Sequence, residues 1–179
     1  MQRNAIWFVA LVSMLFAVTN VSAQWEDALA AMLSEFQDCS TPVESGNPCN
    51  TVTARAVAAV YGIDDFSAGT DGAMSIREMI AEVKSSGGWS DLGTADKQEA
   101  LNAAQEAANT GRAVVAVLEE EPVGHVALIL PGKLAPSGKW GAQVPNSASF
   151  FPKTPGRSYV GKTLAYAFKT KAMVRLYAK

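Results

Sequence analysis

Residues Ser45 to Phe66 read SGNPCNTVTARAVAAVYGIDDF. A polar turn, Ser45-Gly46-Asn47-Pro48, runs straight into Cys49. Val52, Ala56, Val57 and Val60 then recur at helical spacing, and Gly62 is a natural stop. Cys49 is therefore predicted at or just before a helix N-terminus, where unpaired N–H groups and the positive dipole end favour thiolate over thiol. From Ala113 the period changes. Ala113-Val114-Val115-Ala116-Val117-Leu118 is a continuous apolar run, like a strand buried on both faces. Gly124 to Leu130 is the next strand and carries the only histidine of the chain, His125. Helices come first and strands last, so the predicted fold class is α+β, with N-terminal helices packed on a C-terminal antiparallel sheet.

Outward from these stretches, Trp25 to Gln37 is predicted as an amphipathic helix, with Trp25, Leu29, Met32, Leu33 and Phe36 facing the core. Met74 to Lys84 places Ile76, Met79, Ile80 and Val83 on one face, capped by Asp71 or Gly72. Trp89 and Leu92 pin a loop to the core. Thr94 opens an Ala-rich helix that stops before Gly111. Beyond the second strand, Pro131 to Lys139 reads as a hairpin connection, Trp140 to Val144 as a third strand and Asn146 to Ser158 as loop. Leu164 to Phe168 and Ala172 to Tyr177 form a closing pair. No internal repeat or low-complexity linker divides the chain.

The chain has 179 residues and a formal net charge of −2, so no basic footprint points to nucleic acid. Met1 to Ala23 carries one positive charge, Arg3, then an apolar run from Ala5 to Val18, then Val21-Ser22-Ala23 as a small-x-small cleavage pattern. This reads as a secretory signal peptide, with residues 24–179 as the mature domain. The run is short for a membrane span. The mature protein is expected to be secreted or periplasmic, monomeric, and free of stable membrane association. Its two cysteines, Cys39 and Cys49, would meet an oxidising compartment, where a bridge between them is a competing fate. Closing that loop of about ten residues would contribute roughly 2.5–3 kcal/mol.

A cysteine hydrolase needs a thiolate, a general base and a group that orients the imidazole. Cys49 opens a helix, whereas Cys39 follows one, where the dipole disfavours an anion. Asn47, Asn50 and the helix N–H groups are candidates for an oxyanion hole. His125 is the candidate base. A hairpin turn at Gly132 to Gly138 would put Gln143 to Ser147 opposite it, so Asn146 is the first choice as orienting residue, with Gln143 and Ser147 as alternatives. One His and two Cys without a close C-x-x-C pair are poor zinc ligands, nothing resembles a phosphate loop, and no cofactor is expected.

Cys49-Asn50 with Val52 and Val57 behind it resembles the nucleophile helix of papain-like cysteine amidases and peptidases of the CHAP and NlpC type. Gly124-His125-Val126-Ala127 resembles their histidine strand. Where those proteins carry an aromatic after the nucleophile, this chain has Thr51. The resemblance implies a helix-packed antiparallel sheet and a substrate among the amide or peptide bonds of peptidoglycan stem peptides. On it, Cys49 attacks, His125 moves the proton and a polar residue on the next strand holds the ring. A protein inhibitor is a further candidate partner. The rival expectation is a non-enzymatic secreted domain of the same fold, with Cys39 and Cys49 bridged and His125 structural, acting as a binding or structural module.

Overall fold

The computed structural model describes residues 24–39, 48–69, 72–85, 87–120 and 123–179. The predicted signal segment, Met1 to Ala23, lies outside the described residues, as do Ser45 to Asn47 of the polar turn. The protein is α+β. Among the described residues, four α-helices cover the two faces of one six-stranded sheet, and a two-stranded ribbon stands beside it.

Helix α1 spans residues 24–37 and buries Leu29 and Phe36, with Phe36 edge-on to Phe150 at 5.5 Å. A short 3-10 turn, Pro48–Thr51, leads into α2, Val52–Tyr61. Gly62 ends α2 in the left-handed region (φ 66°), its N–H closing onto the Ala58 carbonyl, a conformation that costs glycine nothing. Tyr61 donates from its hydroxyl to the Ile129 carbonyl at 2.7 Å and ties the end of α2 to the sheet. Helix α3, Ile76–Lys84, is capped by Ser75 rather than by Asp71 or Gly72. Ser75 Oγ accepts from Glu78 N–H while Glu78 accepts from Ser75 N–H, a reciprocal box that satisfies two terminal donors.

Strand β1, Ser90–Thr94, stands where a loop was expected. It is short, lacks a run of β-branched residues and carries a bulge between Asp91 and Gly93, so no strand period is visible in it. Helix α4, Gln98–Asn109, starts four residues after Thr94, whose hydroxyl bonds Asp96 instead of capping the helix. Strands β2, Val114–Leu118, and β3, His125–Ile129, follow as expected. The connection beyond β3 holds its own ribbon, β4 (Ala135–Ser137) with β5 (Ala142–Val144), and Trp140 sits in its turn. Strand β6, Asn146–Ser149, occupies what read as loop. Strand β7 is Tyr159–Thr163 and β8 is Val174–Ala178. The expected closing pair does not form. Leu164–Tyr166 is a 3-10 turn, and β8 instead enters the sheet between β1 and β2.

The sheet order is β1-β8-β2-β3-β6-β7, and its pairings are antiparallel. Alternation along β2 and β3 makes two cores. Val115, Val117, Val126 and Leu128 face α1, α2 and α3; Val114, Ala116, Ala127 and Ile129 face α4. Both strands are buried on two faces, which explains their unbroken apolar sequence. His125, in phase with Ala127 and Ile129, belongs to the α4 side at the end of the sheet.

Candidate functional site

His125 begins β3 next to Gly124, whose φ of 79° and close approach to Ile80 and the Leu118 carbonyl leave no room for a side chain. That glycine lets the strand start tight against α3 and β2. The imidazole stacks on Phe151 at 4.8 Å with planes 10° apart, and Phe168 meets it edge-on at 5.4 Å. Nε2 shares a hydrogen bond of 2.7 Å with Ser149 Oγ. Enclosure by these groups disfavours the charged ring and pulls its pKa from 6.5 down to about 4. The ring is thus neutral at pH 7. Nε2 is engaged by Ser149.

His125 lines a cleft of about 530 Å³ at the end of the sheet. Asn50, at the start of the α2 segment, forms one wall; Ser75, Ile76 and Arg77 of α3 form another. Glu120, Val123 and Gly124 flank His125, and Phe151 to Thr154 close the far side. The helix start and the histidine strand therefore meet across one cavity.

Cys49 lies in the 3-10 turn ahead of α2, as its sequence position suggested. It is 3% exposed, packs in the core of the α1–α3 side, and is disulfide-bonded to Cys39. The structure thus contains the bridge, and the Cys49 sulfur and the His125 ring belong to opposite sides of the sheet. What reaches the cleft beside His125 is Asn50, the next residue.

Asn146 is not brought to His125. Its Nδ2 donates to the Pro131 carbonyl and its N–H donates to Gln105 Oε1, at the other end of β3. Gln143 is exposed and its backbone pairs with the Gln98 side chain. Ser147 is buried and bonded to the Tyr159 hydroxyl and the Lys162 carbonyl. The cause is register. Ala127 pairs with Ser149 and Ile129 with Ser147, because the β4–β5 ribbon lengthens the connection and the returning strand meets β3 later in the chain than a simple hairpin would allow. Ser149 is the polar residue that reaches His125. Its signal in sequence is the alternation Ser147-Ala148-Ser149-Phe150, polar and apolar by turns, which marks a strand with hydroxyls on one face.

Among the described residues, no group of three or more His, Cys, Asp or Glu is placed to hold a metal ion, and no helix is long and apolar enough to cross a membrane. Neither a scan against protein-family models nor a search of curated proteins finds a match to this chain.

Proposed function

We propose that the protein is an exported cysteine hydrolase of papain-like, CHAP or NlpC type that cleaves amide or peptide bonds of peptidoglycan stem peptides once its Cys39–Cys49 bridge is open. The observation that supports this reading is a single cleft lined both by the neutral His125, held by Ser149, and by Asn50, the residue after Cys49. A dithiol reductant, itself oxidised to a disulfide, converts the bridge into the Cys39 and Cys49 thiols and frees the Cys49 side chain to turn from the core towards the cavity that Asn50 already lines. There the helix N-terminus favours the thiolate, and the thiolate in turn raises the proton affinity of the ring. His125 takes the thiol proton. The thiolate attacks the substrate carbonyl, the protonated ring gives its proton to the leaving amine, and water releases the acyl group from the thioester. Ser149 takes the orienting role first assigned to Asn146.

The bridge itself favours a second reading. With Cys49 held by Cys39, no free cysteine thiol remains among the described residues, and on this reading the cleft serves to bind rather than to cut. Turnover of purified peptidoglycan by dithiol-treated protein separates the two. Cys49→Ala and His125→Ala should each abolish release of stem-peptide fragments, and the double variant should be no worse, since parts of one nucleophilic machine are non-additive. Release by folded Cys49→Ala would rule out Cys49 as the nucleophile, whereas no release by the reduced wild type would leave the binding reading.

A further inference from the structure

We infer that the protein has a second binding surface beside the His125 cleft, along the β7 edge of the sheet, where Arg157 and Lys162 hold free carboxylates of a peptidoglycan strand. The inference rests on reading peptidoglycan as the substrate, and it concerns grip on the polymer rather than the cut. Its first support is the distribution of charge. Residues 122–179 contain nine Lys and Arg and no Asp or Glu, whereas residues 1–121 contain six and seventeen. The net charge of −2 thus hides a basic C-terminal part.

Four of the nine cations are engaged within the fold. Arg175 and Lys179 pair with Asp91 and Asp65, and Lys139 and Lys171 donate to backbone carbonyls. Arg157 and Lys162 are exposed and belong to no ion pair among the described residues. Each lies over aromatic rings instead. The Arg157 guanidinium is 5.3 Å from the Phe151 centroid, and Lys162 Nζ is 5.7 Å from that of Tyr159 and 5.2 Å from that of Tyr166. Attraction to the ring faces narrows the positions of two long side chains, so less freedom is lost when an anion binds them.

The rings form a continuous row that starts at the cleft. His125 stacks on Phe151, Phe151 lies 6.5 Å from Tyr159, and Tyr159 lies 6.0 Å from Tyr166. Phe151 lines the cleft, and the row ends on Tyr166, which is 60% exposed. A strand with one stem peptide in the cleft brings its neighbouring stems to this row. Their carboxylates match Arg157 and Lys162, and the C–H face of a sugar ring matches the negative face of Tyr166. Single-stranded nucleic acid fits the row less well. Base stacking needs open rings, whereas Phe151 already carries His125 and Arg157, and Tyr159 is 3% exposed.

The test uses the bridged protein, so that no turnover is read, and measures co-sedimentation with purified peptidoglycan sacculi. Arg157→Gln with Lys162→Gln should weaken binding about five- to tenfold at low salt, while Arg157→Lys with Lys162→Arg should stay within about twofold of wild type. Wild-type protein should show a similar loss on sacculi whose carboxylates have been amidated, and high salt should level these differences. Tyr166→Ala should weaken binding about threefold. Undiminished binding by the glutamine variant, or undiminished binding of wild type to amidated sacculi, would overturn the inference. So would equally tight binding of single-stranded DNA through the same two side chains. An absence of turnover in dithiol-treated protein would remove the hydrolase reading and leave carboxylate-dependent binding standing. Turnover accompanied by carboxylate-independent binding would remove this inference alone.

Discussion

The two ends of the β3–β6 pair hold polar side chains to different effect. At the Leu130 end, Gln105 of α4 donates to the Leu130 carbonyl and accepts from Asn146 N–H, both at 2.9 Å. Asn109 reaches Gly132 with both its donor and its acceptor, and Asn146 closes on Pro131. Each amide there answers a backbone group that the irregular connection to β4 would otherwise leave unpaired. At the other end, His125 answers no backbone group. One nitrogen is held by Ser149, Phe151 stacks on the ring, Phe168 meets it edge-on, and the residue lines a cleft. An arrangement that satisfies backbone is what a fold requires. A ring held by a side chain at the wall of a cavity is not needed to satisfy backbone.

That contrast can be broken most sharply by exchanging a residue at each end. In the reduced protein, His125→Ala should lower turnover by about 10²–10⁴-fold, the usual worth of a general base. Asn146→Ala should leave turnover within a few-fold and act on stability instead. A large catalytic loss in Asn146→Ala with His125→Ala near wild type would reverse the assignment of the two ends.

At the Leu130 end the effect should be thermodynamic. Gln105→Ala strands the Leu130 carbonyl and the Asn146 N–H in a site where Gln105 is only 4% exposed. A loss of about 2–4 kcal/mol in denaturant unfolding is expected, with no change in the pH profile of activity.

The His125 end should respond to pH. Its folded pKa of about 4 lies below its ordinary 6.5, so between these values the unfolded chain binds a proton that the folded chain refuses. The contribution is therefore whole above about pH 6.5, falls as the pH drops through the window, and levels off below pH 4. It amounts to as much as ~3 kcal/mol. Unfolding curves across this range should show that component in the wild type and lack it in His125→Phe. Identical pH dependence in the two would mean that the ring titrates normally.

The smallest effect expected is that of Ser149→Ala, a loss of about 1–2 kcal/mol together with a shift of the imidazole ¹⁵N resonances as Nε2 loses its partner. Unshifted resonances would show that Ser149 does not orient the ring.

Much of the scaffold was legible in the sequence because its signals are periodic. The Leu29 and Phe36 face of α1, the helical pattern after Cys49 with Gly62 at its end, and the apolar run of β2 all follow from spacing alone. What was hidden depends on contacts far apart in sequence. Strand β1 exists because β8 pairs with it, and β8 lies centrally in the sheet although it comes last in the chain. The β4–β5 ribbon set the register of β6 and replaced Asn146 by Ser149 beside His125, which no local pattern before Asn146 announces. Cys49 and His125 could be singled out by type and position. The bridge to Cys39 depends on the approach of the two cysteines in the fold, which their spacing alone leaves open.

The central claim is that Cys49 and His125 act as one unit when the bridge is open. Its most direct measurement is the pH dependence of alkylation of Cys49 by iodoacetamide in dithiol-treated protein, read by peptide mapping for the wild type and for His125→Ala. Cys49 should react faster than Cys39 and with an inflection well below the ordinary thiol value of about 8.5, and His125→Ala should return that inflection towards it. A Cys49 profile centred near that ordinary value, unchanged by removal of the imidazole, would contradict the account.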